Sequence, residues 1–203
     1  MRLYAVTDRA WLGGRTLEEC TEAAIKGGAT FVQLREKNMT TDQMAESGNK
    51  LKEICSRYSV PFVINDDVQA AIMCDADGVH IGQSDMAARD VRSLLGAGKI
   101  VGVSAHTVDE AVTAEKDGAD YIGVGAMFAT DTKTDADIVT REELKKICAA
   151  VNIPVVIIGG LKCDNIEQFA GCGADGAAVV SALFAEDDIE NAARALRKVC
   201  DRL

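Results

Sequence analysis

The sequence predicts a (β/α)8 barrel, an α/β fold, formed by a single domain over residues 1–203. Short apolar runs recur about every 25 residues, segments with helical periodicity lie between them, and glycines stand where helices would turn back into strands. The 48% hydrophobic and 4% aromatic content suits a core of small aliphatic side chains, as in parallel strands covered by helices. An open, doubly wound sheet is the alternative.

The apolar runs predict eight strands, at residues 3–7, 31–35, 62–65, 78–82, 100–104, 121–125, 155–159 and 177–181. The apolar positions with a helical period between the first three runs are Leu17, Cys20, Ala24 and Ile25, then Met44, Leu51, Ile54 and Cys55. Charged residues occupy the other face, which indicates amphipathic helices. Gly27-Gly28, Asp117-Gly118 and Cys172-Gly173 precede strands, as residues that end a helix should.

Composition limits the kinds of partner. The net charge of −10, with a pI near 4.7, argues against nucleic acid, whose binding requires clustered cations. The sequence shows neither a signal peptide nor an apolar run of the ~20 residues that a membrane-spanning helix needs, so we expect no membrane partner. The seven cysteines include no C-x-x-C pair, and we expect reduced, mostly buried thiols in a cytoplasmic protein. The sequence leaves open whether the chain forms a homo-oligomer.

Carboxylates and cations follow the predicted strands, at the carboxyl ends where a barrel places its active site. Asp66 and Asp85 follow the third and fourth strands, and two carboxylates with phosphate oxygens and water form a usual Mg²⁺ site. The alternative is that each aspartate caps the next helix. Arg35 and Lys37 offer a planar fork and a point charge for phosphate, unless they form a solvated group with Glu36.

Other polar positions indicate a ligand site at the same end. Gln33 should face the barrel interior with Arg35, where a ligand is a candidate partner for its amide. Gly159-Gly160-Leu161 and Val180-Ser181 follow the last two strands, where many barrels bind phosphate through backbone N–H groups, although glycine pairs also serve turns. The polar loop 129–137 could close over a charged ligand or be an ordinary surface loop.

The two histidines indicate no nucleophilic chemistry. His80 lies inside a predicted strand, where a structural, hydrogen-bonded imidazole is favoured over a catalytic base. His106, before a helix, could cap, bind or titrate. No Ser-His-Asp triad can be assigned, and no nucleophile on the protein is indicated.

With these residues in order, the chain resembles the thiamine phosphate synthase family over nearly its whole length. The motifs that carry the resemblance are Tyr4-Ala5-Val6-Thr7-Asp8, Gln33-Leu34-Arg35-Glu36-Lys37, Ile64-Asn65-Asp66, residues 78–83 with Asp85, residues 102–107, residues 130–135, Gly159-Gly160 and Val180-Ser181. Each motif is modest alone, but their order and spacing together are specific.

The resemblance implies a transferase that joins 4-amino-2-methyl-5-hydroxymethylpyrimidine diphosphate to 4-methyl-5-(2-phosphoethyl)thiazole. In the family, departure of the diphosphate leaves a pyrimidine carbocation, and the thiazole nitrogen then bonds to its methylene carbon. The residues implied to hold the pyrimidine diphosphate are Gln33, Arg35, Lys37, Asn65, Ser104 and Lys133, with Mg²⁺ on Asp66 and Asp85. Those implied to hold the thiazole phosphate are Thr130, Thr132, Gly160 and Ser181, with Val180 beside them. The implied catalytic residues are Arg35, Lys37, Ser104 and Lys133.

One segment departs from the family, which usually has G-P-x-x-P-T after the sixth strand. Here residues 125–130 carry Ala126 and Ala129 in place of the two prolines. The loss of two fixed φ angles predicts lower order at the start of the loop rather than a loss of activity.

Two other functions are compatible with this resemblance. A thiazole tautomerase of the same barrel family would need no diphosphate site, and a non-catalytic phosphate-ligand binding protein would bind without turnover. The residues whose joint presence favours the synthase are Arg35, Lys37, Asp66, Asp85 and Lys133.

Overall fold

The computed structural model describes residues 1–130 and 138–203, which form a closed barrel of parallel strands. The strands are β1 (Leu3–Val6), β2 (Phe31–Leu34), β3 (Phe62–Asn65), β4 (Gly78–Ile81), β5 (Ile100–Ala105), β6 (Tyr121–Val124), β7 (Val155–Ile158) and β8 (Gly176–Val179). Each strand pairs with the next, and β8 pairs with β1. The predicted (β/α)8 barrel is confirmed, and the open sheet is wrong because β1 has a neighbour on both sides.

Helices cover the outside of the barrel. They are α1 (Leu17–Lys26), α2 (Thr41–Arg57), α3 (Val68–Met73), α4 (Ala88–Leu95), α5 (Val108–Lys116), α6 (Arg141–Ala150), α7 (Ser181–Phe184) and α8 (Ile189–Cys200). The predicted apolar faces of α1 and α2 are buried, and a capping box begins each helix, at Thr16 and Thr40. The connection from β7 to β8, which the structure describes throughout, carries a 3₁₀ helix, Ile166–Phe169, in place of an α-helix.

Several predicted strands extend too far at their carboxyl ends. For example, Thr7 and Arg35 are the predicted last residues of the first two strands, but each of these strands ends one residue earlier. Gly159 has φ +99°, a left-handed conformation that ends β7, and Ser181 already belongs to α7. The polar residues that end the apolar runs therefore begin the strand-to-helix loops.

The core has two parts, one between the strands and the helices and one inside the barrel. The inward-facing residues of the smaller part are Tyr4, Val6, Phe31, Val63, Tyr121, Val156 and Ala178. The Tyr121 ring fits because its neighbour on β5 is Gly102, where a Cβ atom would lie 2.1 Å from Tyr121 Cζ. The barrel interior thus has room for the Tyr121 phenol because Gly102, the facing residue on β5, has no side chain.

The cysteines are all free thiols within the described residues. Those that are buried are Cys20, Cys55, Cys74, Cys172 and Cys200. Burial raises the pKa of the Cys55 and Cys200 thiols to about 12, which keeps them protonated. The prediction that the cysteines are mostly buried is confirmed. Among the helices of the two described segments, none is long and apolar enough to cross a membrane.

Candidate active site

A cavity of about 430 Å³ opens at the carboxyl ends of the strands. The predicted site residues that line it are Gln33, Arg35, Asn65, Asp66, Asp85, Ser104, Thr130, Gly160, Val180 and Ser181. Lys37 is described but exposed, and it is not among the lining residues. Thr132 and Lys133 lie outside the described residues, as does most of the loop predicted to close over the ligand.

Asp66 and Asp85 form an acidic pair at the ends of β3 and β4. Asp66 adopts φ +63°, a left-handed conformation that aspartate tolerates better than most residues, and its N–H donates to the His80 carbonyl oxygen at 2.8 Å. Asp85 Oδ2 accepts the Gly82 N–H at 2.7 Å. Neither aspartate caps a helix, because Asp67 caps α3 and α4 begins after Ala87. The capping alternative is therefore wrong.

The surroundings of Asp66 favour its protonated form. Withdrawal of its carboxyl group from water, although the residue as a whole is exposed, raises the pKa of Asp66 to about 6, and the neighbouring Asp85 carboxylate acts in the same direction. Arg35 and the Asn65 side chain, whose Nδ2 donates to Asp66 Oδ2 at 2.5 Å, oppose this increase. A second cation on the pair would relieve the repulsion that remains.

The raised pKa predicts how this carboxylate affects stability. Folded Asp66 takes up a proton below pH about 6, whereas the unfolded chain does so near the ordinary value of 3.8. Charged Asp66 therefore weakens the fold at neutral pH. This loss of stability decreases as the pH falls below about 6 and disappears below the unfolded pKa of 3.8. We expect Asp66→Asn to raise the Tm of the metal-free protein by about 1–2 °C at pH 7.5 and by a smaller amount at pH 5.

Thermal unfolding followed by circular dichroism at both pH values tests this expectation. Asp90→Asn is the control, because Asp90 lies on α4, is exposed and pairs with Arg89. A Tm for Asp66→Asn below that of the wild type at pH 7.5 would contradict the account.

Arg35 is held at the cavity by the loop after β1. Its backbone N–H donates to Thr7 Oγ1 at 3.1 Å, and the N–H of Thr7, which is buried, donates to the Gln33 carbonyl oxygen at 3.0 Å. Glu36 forms an ion pair with Arg9, with 2.9 Å between Oε1 and Nε. The first two strand-to-helix loops are therefore tied together, and this fixes where Arg35 leaves β2.

The loop after β7 lies against the loop after β6. Gly160 has φ +62°, and a Cβ atom there would lie 2.7 Å from the Phe128 Cβ atom. The Phe128 N–H donates to the Gly159 carbonyl oxygen at 3.1 Å, and Asn165 Nδ2 donates to the Gly160 carbonyl oxygen at 3.0 Å. Glycine thus permits a close approach of two backbones at the edge of the cavity that Gly160 and Ser181 both line.

Ala126, one of the two positions where the family has proline, is buried. The Gly125–Ala126 peptide bond is cis. The Met127 N–H donates to the Ile158 carbonyl oxygen, and the Val139 N–H donates to that of Ala126, both at 2.9 Å. The first bond holds the beginning of the connection on β7, and the second joins residues near its two ends. The predicted lower order of the loop remains a prediction.

A chain of hydrogen bonds crosses the floor of the cavity; we call it the floor network. Gln33 Nε2 lies 2.6 Å from the Tyr4 hydroxyl, which lies 2.8 Å from the Tyr121 hydroxyl. His80 Nδ1 lies 2.9 Å from Tyr121, and His80 Nε2 lies 3.0 Å from Ser104 Oγ. The interpretation of His80 as a hydrogen-bonded imidazole inside the barrel is confirmed. Gln33 also faces inward, as predicted.

Two members of the floor network, and some residues of the cavity lining, were not predicted as site residues. Tyr4 appeared only within a motif and Tyr121 only within a strand, although alternation places both inside the barrel, where a buried phenol needs a partner. His106 also lines the cavity; its N–H donates to Glu110 Oε2 at 2.6 Å, while Thr107 caps α5. Lys162 and Gln83 line the cavity as well, on loops that show no helical or strand periodicity.

Comparison with known proteins agrees with this geometry. A family model described as thiamine monophosphate synthase matches residues 3–183. The chain is 49% identical to the thiamine-phosphate synthase of Clostridium botulinum over 201 residues, which is 99% of this chain and 94% of the relative. It is 50% identical to that of Clostridium acetobutylicum over 195 residues, covering 96% and 92%.

A solved structure extends the similarity to three dimensions. The thiamine phosphate pyrophosphorylase from Pyrococcus furiosus matches with a TM-score of 0.90 and 38% identity, covering 98% of this chain and 95% of that one. The resemblance seen in the motifs is confirmed by all three comparisons. The chain therefore belongs to the thiamine monophosphate synthase family.

Proposed function

We propose that this chain joins 4-amino-2-methyl-5-hydroxymethylpyrimidine diphosphate to 4-methyl-5-(2-phosphoethyl)thiazole, releasing thiamine phosphate and diphosphate. One observation carries the proposal beyond family membership. A single cavity holds the Asp66–Asp85 pair beside Arg35 and, on other strands, the Gly160 and Ser181 loops. The first group suits a metal-bound diphosphate and the second a phosphate monoester.

The acidic pair fits Mg²⁺ by its chemistry. Its ligands are hard carboxylate oxygens, and the raised pKa of Asp66 reports negative charge that a cation would offset. The described residues contain no group of three or more potential protein ligands, and Mg²⁺ commonly takes one or two carboxylates together with substrate phosphates. The chemistry that Mg²⁺ supplies when bound is neutralisation of the leaving diphosphate.

The chain itself binds and orients the substrates. Arg35 presents a bidentate fork to diphosphate oxygens, and we expect Lys37 and Lys133 to add charge. The thiazole nitrogen is the nucleophile, so the reaction needs no nucleophilic side chain. Catalysis then depends on stabilising the departing charge and on holding the two rings in line within the cavity.

The test is an assay for thiamine phosphate, oxidised to fluorescent thiochrome, with the purified chain, both substrates and Mg²⁺. We expect fluorescence only when all three components are present, and its loss on adding a chelator. Turnover of the thiazole carboxylate phosphate without the pyrimidine diphosphate would favour the tautomerase, which the relatives do not support. Binding of both substrates without product would favour the binding protein.

A conservative substitution tests the role of Arg35. Lysine keeps the charge but loses the planar fork, so we expect Arg35→Lys to lower kcat/KM for the pyrimidine diphosphate by about tenfold or more. KM for the thiazole phosphate should change little. Arg89→Lys is the control, because the Arg89 side chain is 76% exposed on α4. An Arg35→Lys enzyme with wild-type kcat/KM would remove Arg35 from the diphosphate site.

The setting of the reaction follows from the same chemistry. We propose that the chain works in the cytoplasm, where its thiols stay reduced, and that its partners are the two small-molecule substrates rather than nucleic acid or membrane.

A further inference from the structure

Tyr4 and Tyr121 are fully buried, so each phenol hydrogen needs an acceptor within the floor network. With Gln33 as the donor at one end, this requirement gives the direction of the other hydrogen bonds. Gln33 Nε2 can only donate, and the Tyr4 oxygen therefore accepts. The Tyr4 hydrogen is then available to Tyr121, and the Tyr121 hydrogen to His80 Nδ1. Both phenols remain protonated, because burial raises their pKa values.

The direction continues through the imidazole to Ser104. A ring whose Nδ1 accepts and whose Nε2 donates is neutral and carries its hydrogen on Nε2. His80 Nε2–H then points to Ser104 Oγ, so the Ser104 hydroxyl keeps its own hydrogen for a group in the cavity. The floor network thus ends in a donor at Ser104.

The opposite end of the network offers an acceptor. The side chain of Gln33 is buried and lines the cavity, and with its amide nitrogen on Tyr4 its carbonyl oxygen is directed away from the network. Within the described residues, no hydrogen bond to that oxygen is formed. The cavity floor therefore presents one acceptor and one donor, on β2 and β5.

We propose that Tyr4, Tyr121 and His80 are positioning residues that select an aminopyrimidine over an oxopyrimidine by fixing the Gln33 amide as an acceptor and the Ser104 hydroxyl as a donor. This inference rests on the proposed function. An exocyclic amino group donates and a ring nitrogen accepts, which matches the floor. An oxo group at the same position accepts instead, and its adjacent ring N–H donates, so both matches are lost.

The tautomer of His80 is a direct test, because the chain contains only two histidines, His80 and His106. We expect nitrogen-15 NMR of the labelled full-length chain to show His80 as a neutral ring protonated at Nε2. A His106→Gln variant assigns the two sets of signals. A His80 ring protonated at Nδ1, or a doubly protonated ring, would overturn the proposed direction of the network.

Removal of one phenolic oxygen tests the positioning role. We expect Tyr121→Phe to weaken binding of the aminopyrimidine diphosphate about tenfold and to leave binding of its 4-oxo analogue nearly unchanged, so that selectivity falls by the same factor. The effect should appear in KM and in selectivity, while Arg35-dependent diphosphate contacts persist. Tyr4→Phe should act in the same direction, and it serves as the second variant if Tyr121→Phe does not fold.

The matched control is Tyr58→Phe, which removes a hydroxyl that donates to Glu22 outside the barrel, at 2.7 Å. Equal selectivity in Tyr121→Phe, Tyr4→Phe and Tyr58→Phe, with normal turnover, would overturn this inference alone. A wild-type chain that binds neither pyrimidine diphosphate would overturn the proposed function and this inference together.

Discussion

Replacing Asp66 by asparagine is expected to lower the rate of thiamine phosphate formation by at least about a hundredfold at saturating Mg²⁺. The reason is electrostatic, because the substitution removes one of the two charges that would hold the metal on the diphosphate. Asparagine tolerates the left-handed backbone at this position and keeps the shape of the side chain. We therefore expect the substitution to lower the catalytic rate and to leave the fold intact.

Measuring stability beside activity separates a loss of catalysis from a loss of folding. The same variant is expected to unfold at or slightly above the wild-type temperature at pH 7.5, so lost activity cannot be ascribed to unfolding. Asp85→Asn should reproduce the loss, and Asp90→Asn should retain wild-type rates. Full activity of Asp66→Asn with ordinary Mg²⁺ dependence would show that the acidic pair does not hold the metal.

Gly102→Ala, which adds a methyl group inside the barrel, is expected to be strongly destabilising. The added carbon would lie 2.1 Å from Tyr121 Cζ and 2.3 Å from its hydroxyl oxygen, so the ring must move. Overpacking of this kind costs about 3 kcal/mol, which should lower the Tm by about 10 °C for a chain of this size. Because the ring carries the middle hydroxyl of the floor network, pyrimidine selectivity should fall as well.

Gly98→Ala is the matched control for this substitution. Gly98 lies in the exposed turn before β5, and a Cβ atom there would meet no heavy atom within 4 Å. Urea unfolding of the two variants and the wild type measures the difference. If Gly102→Ala were as stable as Gly98→Ala, the close packing of Tyr121 against β5 would not be real.

The barrel was predictable from the sequence because its signals are local. Nearby residues are enough to recognise an apolar run of four or five residues or an amphipathic helix such as α1. The same is true of the glycines that end helices, such as Gly118 and Gly173. The convergence of Asp66 and Asp85 on one cavity was also predictable, because parallel strands bring the residues that follow them to one end. Only the structure could exclude the capping alternative, because Asp66 and Asp67 are equally good helix caps by residue type.

The floor network could not be predicted from local patterns. Its members lie on five strands, and Tyr4 and Tyr121 are 117 residues apart in the chain. Each tyrosine alone reads as an ordinary apolar strand position, and only the closed barrel places their hydroxyl groups together. The space for Tyr121 likewise depends on Gly102, whose role is visible only when β5 and β6 are paired.

The most direct test of the proposed function is the stoichiometry of the reaction. The chain would be mixed with both substrates and Mg²⁺, and released diphosphate and thiamine phosphate would be measured together over time. The account predicts one diphosphate for each thiamine phosphate, with both products absent after chelation. Diphosphate released without thiamine phosphate in the complete mixture, or neither product despite bound substrates, would contradict it.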